Sequence, residues 1–86
     1  MKKLEDLIIG YISGEILHDA SGQTLSADSP LLETGTLDSL GLQQLVQFLE
    51  KEYSIEIGDE HLTPENFESP RTIATFVSSV LETSNA

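Results

Sequence analysis

The chain of 86 residues contains no cysteine and no tryptophan, and only four of its residues are lysine or arginine. Without cysteine, disulfide bonds and thiolate catalysis are excluded, and the two histidines alone do not make a usual zinc site. No apolar segment approaches the roughly 20 residues that a membrane-spanning helix needs. We therefore expect neither a metal site nor insertion into a membrane.

The scarcity of basic residues leaves a strongly acidic protein. Its 15 Asp and Glu residues give a formal net charge of −11. A surface of that sign repels nucleic-acid phosphates and anionic lipids, and it attracts a basic patch on a protein partner. We therefore expect no nucleic-acid binding, and a monomer that makes weak, transient contacts with enzymes.

The N-terminal segment has two lysines before an apolar stretch, but Glu5 and Asp6 interrupt it and no small-residue cleavage site follows. It therefore does not resemble a secretory signal peptide, and a cytoplasmic location is expected. A chain of this length predicts a single domain over residues 1–86. We expect an ordered core over about residues 3–81 and a flexible tail over residues 82–86, because ETSNA is polar and terminal.

Apolar residues at three- and four-residue spacing predict three longer amphipathic helices. Capping residues and prolines mark where the later two begin. The three are a helix from about Leu4 to His18, one that begins at Asp38 or Ser39 and ends by Ser54, and one that follows Ser69 and Pro70 and ends near Leu81.

Between the first two helices, residues 20–37 are rich in Ser, Thr, Gly and Asp and show no sustained period, which predicts a long loop. A loop of this length in a compact domain is usually functional. The sequence DSPLL within it is compatible with a short helical turn that has Pro30 at its first position. Leu31, Leu32 and Leu37 are expected to attach the loop to the core.

After the second helix, Ile55 and Ile57 alternate with acids as in a strand, but no second strand is available to pair with them. We predict an extended connector whose two isoleucines enter the core. In TPENF, Thr63 as a cap and Pro64 at the first position predict a single helical turn anchored by Phe67. The predicted fold is an all-α four-helix bundle with three longer helices, one short third helix and a long loop between helices one and two.

Asp38 and Ser39 stand where the long loop meets the second helix. A hydroxyl in the first turn of a helix lies near free backbone N–H groups and the positive end of the helix dipole, which would stabilise a phosphate attached to it. In a commoner arrangement, Asp38 caps the helix and Ser39 is only its solvated neighbour. The residues by themselves leave both interpretations open.

The order of these features resembles an acyl carrier protein over roughly residues 4–81. The resemblance rests on a long loop with SPLLETG, on LDSL at the start of the second helix, and on the following IEIGDEHLTPENF. It implies that Ser39 carries 4′-phosphopantetheine, which a phosphopantetheinyl transferase takes from coenzyme A, and that Asp38 helps this enzyme to recognise the site. It also implies a carrier rather than an enzyme.

For such a carrier, the resemblance implies that an adenylating ligase loads acyl or aminoacyl groups onto the thiol of the arm as thioesters. Downstream enzymes of fatty-acid-like, polyketide or nonribosomal-peptide-type biosynthesis would then receive them.

The second helix is predicted to carry Leu40, Gln43, Gln44 and Gln47 on the face away from its apolar stripe. The resemblance implies that this face docks partner enzymes, whereas a single exposed leucine without function is the alternative. Carriers of fatty acid synthesis usually have acids here. The glutamines are more similar to discrete carriers of amino acids or specialised acyl groups.

A second hypothesis is an interaction module that binds a partner without being modified, which a Ser39→Ala variant would leave active. A small enzyme is less favoured, because the sequence shows no convergent set of titratable groups. A serine hydrolase is excluded because Leu37 stands where the nucleophile elbow needs glycine. A calcium loop is excluded because Pro30 and Leu32 occupy ligand positions.

Overall fold

The computed structural model describes residues 2–16 and 25–84 of the chain. No strand occurs within these ranges, and the all-α class that the periodicity predicts is confirmed. The helical elements are α1 (Lys2–Tyr11), which continues as a π-helical turn (Ile12–Ile16), then α2 (Ser39–Tyr53), a 3₁₀ turn (Asp59–His61), α3 (Pro64–Phe67) and α4 (Pro70–Ser84).

A single apolar core connects the helices, with α4 packed against both α1 and α3. Each large aliphatic side chain in it contributes about 1.5–3 kcal/mol by its burial, so the faces predicted from the periodicity hold the bundle together. The side chains with no exposed surface include Ile8, Ile12, Leu31, Leu45, Leu49, Phe67, Ile73 and Val77.

The first helix buries the face that the apolar spacing predicts, but its last described residues form a π-helix instead of an α-helix. Residues Ile12–Ile16 form a π-helical turn, which buries Ile12 and Ser13. Gly10 and Gly14 weaken the α-helical preference of this segment, so its packing decides its geometry. The predicted end near His18 lies outside the described residues.

The loop before α2 is attached to the core as predicted, because Leu31 is fully buried and Leu37 is 2% exposed. The short helical turn that DSPLL is compatible with is present as a single turn that does not continue into a helix, since residues 31–35 form hydrogen-bonded turns. The Thr34 N–H and its side-chain hydroxyl both donate to the Pro30 carbonyl, at 3.1 and 3.0 Å. Gly35, at φ 76°, then turns the chain out of a helical path.

The connector and α3 agree with the prediction in all but two details. Ile55 and Ile57 are buried, and Phe67 at the end of α3 is fully buried. Thr63 occupies the cap position of α3, but its side chain makes no capping hydrogen bond to a described residue. The 3₁₀ turn before α3 was not expected.

The last helix begins as predicted and runs further. The Ser69 hydroxyl accepts from the Thr72 N–H at 3.3 Å, and the Ser69 N–H donates to the Thr72 hydroxyl at 3.0 Å. The helix continues to Ser84, three residues past Leu81, because no Gly or Pro follows Leu81 to end it. The first three residues of the expected tail are therefore helical, and residues 85–86 lie outside the described ranges.

Candidate functional site

Ser39 is the first residue of α2, and its position is set by the residues just before it. The Asp38 carboxylate accepts a hydrogen bond from the Gly41 N–H at 2.7 Å, and the Asp38 carbonyl accepts from the Leu42 N–H at 2.7 Å. Of the two possible caps, Asp38 is therefore the one observed. Because Leu37 is buried, Asp38 and Ser39 follow directly from an anchored point of the loop.

The Ser39 side chain is exposed and makes no hydrogen bond to another described residue. It lies at the helix end where unsatisfied N–H groups and the helix dipole favour an anion. A phosphate ester on this hydroxyl would face solvent and be stabilised by the helix terminus. The same geometry also fits a serine that is only the neighbour of a cap, so it leaves both interpretations possible.

The start of α2 packs closely against the π-helical turn. A Cβ atom on Gly41 would lie 3.2 Å from the Asp38 carboxylate and 3.6 Å from side-chain carbons of Ile16. Glycine at this position therefore allows the cap and the end of the first helical segment to meet. The π-helical turn therefore packs against the start of α2 next to the cap that positions Ser39.

The predicted outer face of α2 is exposed. Leu40 keeps 64% of its surface in solvent, and it is the one large apolar side chain exposed in the described part of the chain. Gln43, Gln44 and Gln47 are exposed beside it. Residues 39–49 contain no charged side chain, so this face (Leu40, Gln43, Gln44 and Gln47), which is the predicted docking face, is neutral in an acidic protein.

An open groove of about 390 Å³ between α1 and α2 borders that docking face. The rings of Tyr11 and Phe48 stack with their centroids 4.2 Å apart, and the Tyr11 hydroxyl donates to the Gln44 carbonyl at 3.3 Å. Gln47 also lines the groove. Tyr11 lies on the apolar stripe that predicts the first helix, where a residue is expected in the core, so the groove could not be predicted from the sequence.

Within the described ranges, no group of three or more His, Asp or Glu side chains is placed to hold a metal ion. None of the helices described there is both long enough and apolar enough to cross a lipid bilayer.

Known proteins are similar to this chain in both sequence and fold. A family model described as a phosphopantetheine attachment site matches residues 9–77. The probable acyl carrier protein PigG of Serratia sp. (strain ATCC 39006) is 31% identical over 74 residues, which cover 86% of this chain and 84% of that protein.

Two solved structures are similar with a TM-score of 0.74 each. One, titled "Structure of KstB-PCP(apo)", is 32% identical and the match covers 86% of this chain and 81% of that chain. The other, titled "Crystal structure of FAD-dependent dehydrogenase", is 30% identical over 81% of this chain and 97% of that chain.

Proposed function

Because the chain belongs to the acyl carrier protein family, whose members bear a covalent 4′-phosphopantetheine group, we propose that Ser39 is the residue to which this group is attached. Members of this family are carriers and not enzymes. The observation that carries the proposal is the exposed Ser39 hydroxyl at the N-terminus of α2, directly after the Asp38 cap.

The residues around Ser39 fit such a group. When attached, the group supplies a thiol that this cysteine-free chain lacks, and the thiol holds a carboxylic acid as a thioester. The chain itself positions the attachment hydroxyl through Leu37 and Asp38. The N-terminus of α2 would stabilise the phosphodiester, and the exposure of Ser39 would leave the arm free to reach the active sites of other enzymes.

The proposed cargo is an amino acid or a specialised acyl group, loaded by an adenylating ligase and passed to downstream biosynthetic enzymes. The neutral docking face supports this cargo, since the carriers of fatty acid synthesis usually present acids there. The likeness to a structure titled as a PCP, a peptidyl carrier protein, agrees with it. The proposal includes a monomeric state and a cytoplasmic location.

The likeness to a structure titled for a dehydrogenase does not argue for oxidoreductase activity in this chain. The match covers 81% of this chain and 97% of the other, so the two chains are of similar length. At 86 residues, this chain is too short to enclose a flavin and a substrate in a deep internal site.

The test of Ser39 is an intact-protein mass measured before and after incubation with coenzyme A, magnesium and a broad-specificity phosphopantetheinyl transferase. We expect the wild type to gain the mass of one phosphopantetheine arm and Ser39→Ala to gain nothing. Ser26→Ala, which removes an exposed serine from the preceding loop, is the matched control and should be modified like the wild type.

A gain of mass by Ser39→Ala would show that the arm is attached elsewhere. No gain by folded, previously unmodified wild type would instead favour an interaction module that binds its partner without modification.

The docking face is tested by Leu40→Ala, with Leu40→Met as the conservative control. Since Leu40 is largely exposed, its truncation should change the free energy of unfolding by less than about 0.5 kcal/mol. We expect the KM of the carrier with the transferase to rise several-fold for Leu40→Ala only. An unchanged KM would mean that this leucine plays no part in docking to the transferase.

A further inference from the structure

The first turn of α4 is hydrogen-bonded to the loop that leads to the attachment site. The Arg71 N–H donates to the Ala27 carbonyl at 2.9 Å, and the Leu31 N–H donates to the Glu68 carbonyl at 2.8 Å. These two bonds run in opposite directions between the same two segments. The loop is therefore held across residues 27–31 rather than at a single point.

The loop also supplies a hydrogen-bond acceptor for a backbone N–H of α4 that has no acceptor within the helix. Pro70 has no N–H, and the Thr72 N–H is bonded to the Ser69 hydroxyl, which leaves the Arg71 N–H as a first-turn donor in need of an acceptor. The Ala27 carbonyl supplies it. Opening the loop would expose this N–H again, so the attachment is part of the helix terminus.

A side-chain ion pair also joins the loop to the first turn of α4. The Arg71 guanidinium lies 2.6 Å from the Asp28 carboxylate, across 43 positions of the chain. The two side chains are 56% and 70% exposed, and an exposed pair adds little to global stability. Its effect is therefore expected on the opening of the loop and not on the unfolding of the bundle.

The attached segment leads to Ser39 through anchored residues. Leu31 is fully buried, and the Leu37 N–H donates to the Leu31 carbonyl at 3.1 Å. Leu37 is itself buried and precedes the Asp38 cap. The attachment of the loop to α4 can therefore affect the surface that surrounds Ser39.

We propose that Arg71 is a positioning residue for phosphopantetheine attachment: paired with Asp28, it holds the loop in the arrangement that the transferase recognises beside Ser39. This inference rests on the proposed function. Binding to a segment that is already ordered loses less conformational entropy, so a loosened loop raises the KM for the carrier. The kcat stays unchanged, because neither the Ser39 hydroxyl nor the Asp38 cap is altered.

An effect of net charge on the KM can be distinguished from loss of the contact between Arg71 and Asp28. Arg71→Met changes the formal net charge from −11 to −12, and Asp28→Asn changes it from −11 to −10. If only long-range attraction to a basic transferase mattered, the two substitutions would shift the KM in opposite directions. Loss of a shared contact shifts both in the same direction.

The experiment measures kcat and KM of the transferase with full-length wild type, Arg71→Met, Asp28→Asn, and the reversed pair Asp28→Arg with Arg71→Asp. Lys3→Met is the charge control for Arg71→Met, since Lys3 forms no ion pair with any residue in the described ranges. Hydrogen exchange at residues 27–31 reports the opening of the loop directly, and thermal unfolding reports global stability.

We expect each single substitution of the pair to raise the KM about two- to fivefold and to speed exchange at residues 27–31, with kcat and the unfolding temperature little changed. The reversed pair should return the KM toward the wild-type value, and Lys3→Met should not raise it. An unchanged KM in both single variants, shifts of opposite sign, or no recovery in the reversed pair would overturn the inference. If the wild type is not modified at all, the proposed function itself fails.

Discussion

Two buried serines, Ser13 and Ser69, show that the surroundings of a hydroxyl determine whether it raises or lowers the stability of the fold. Ser13 is 2% exposed, and its hydroxyl has no hydrogen-bond partner in the described part of the chain. Ser69 is 8% exposed, and its hydroxyl caps α4 by accepting from the Thr72 N–H. The same side chain is thus unfavourable in the π-helical turn and favourable at the start of α4.

Substitution of each serine by alanine should therefore change stability in opposite directions. We expect Ser13→Ala to raise the free energy of unfolding by about 0.5–1 kcal/mol, because it removes a buried hydroxyl that has no hydrogen-bond partner among the described residues. Ser69→Ala should lower it by about 1 kcal/mol through loss of the cap. Urea unfolding of the two variants measures both values, and changes of the same sign would contradict this account.

Among the elements, α2 has both of its ends set by single residues. It begins at the Asp38 cap and ends at Ser54, which adopts the left-handed conformation with φ 55° and ψ 46°. In this position the Ser54 N–H still donates to the Glu50 carbonyl. A non-glycine residue pays roughly 1–2 kcal/mol for this conformation, so the connector to Ile55 begins with a strained residue.

Ser54→Gly should relieve this strain. We expect the free energy of unfolding to rise by about 0.5–1 kcal/mol, because glycine adopts a positive φ freely and the exposed serine loses no packing. Ser54→Val is the matched control and should lower stability, since a β-branched residue is least tolerant of this region. Thermal unfolding distinguishes the two. A lower stability of Ser54→Gly would show that the serine side chain itself contributes.

For the whole molecule, the uneven distribution of charge is the property that bears on its partners. The net charge is −11, yet residues 39–49 of α2 are uncharged. Long-range attraction to a basic enzyme is therefore expected to arise from the molecule as a whole, whereas the contacts predicted for Leu40 and the glutamines of the docking face are short-range and uncharged. The two contributions should respond differently to salt.

We expect kcat/KM for the transferase reaction to fall several-fold as the salt concentration rises from about 20 to about 300 mM, since the Debye length shortens over that range. The ratio between wild type and Leu40→Ala should stay constant across the same series, because an apolar contact is not screened. Steady-state rates at four or five salt concentrations test both statements. Salt-independent rates would contradict the electrostatic part of the prediction.

Features that depend on neighbouring residues in the chain could be predicted from the sequence. Proline after a cap residue predicted the starts of α3 and α4, and the apolar stripes predicted which faces are buried. The two isoleucines of the connector were placed in the core. The exposure of Leu40 followed from the same periodicity, because residues three or four positions apart lie on the same face of a helix. The location of Ser39 at the start of α2 followed from the capping residues Asp38 and Ser39.

By itself, the sequence determined the helical class, the buried faces, the acidic surface and the junction where Ser39 lies, since each depends on local spacing or composition. Only the tertiary structure decided the π-helical winding against Gly41, the groove beside Tyr11 and the attachment of Asp28 to Arg71. These features arise between segments far apart in the chain. Their geometry depends on how the helices pack, which no local pattern specifies.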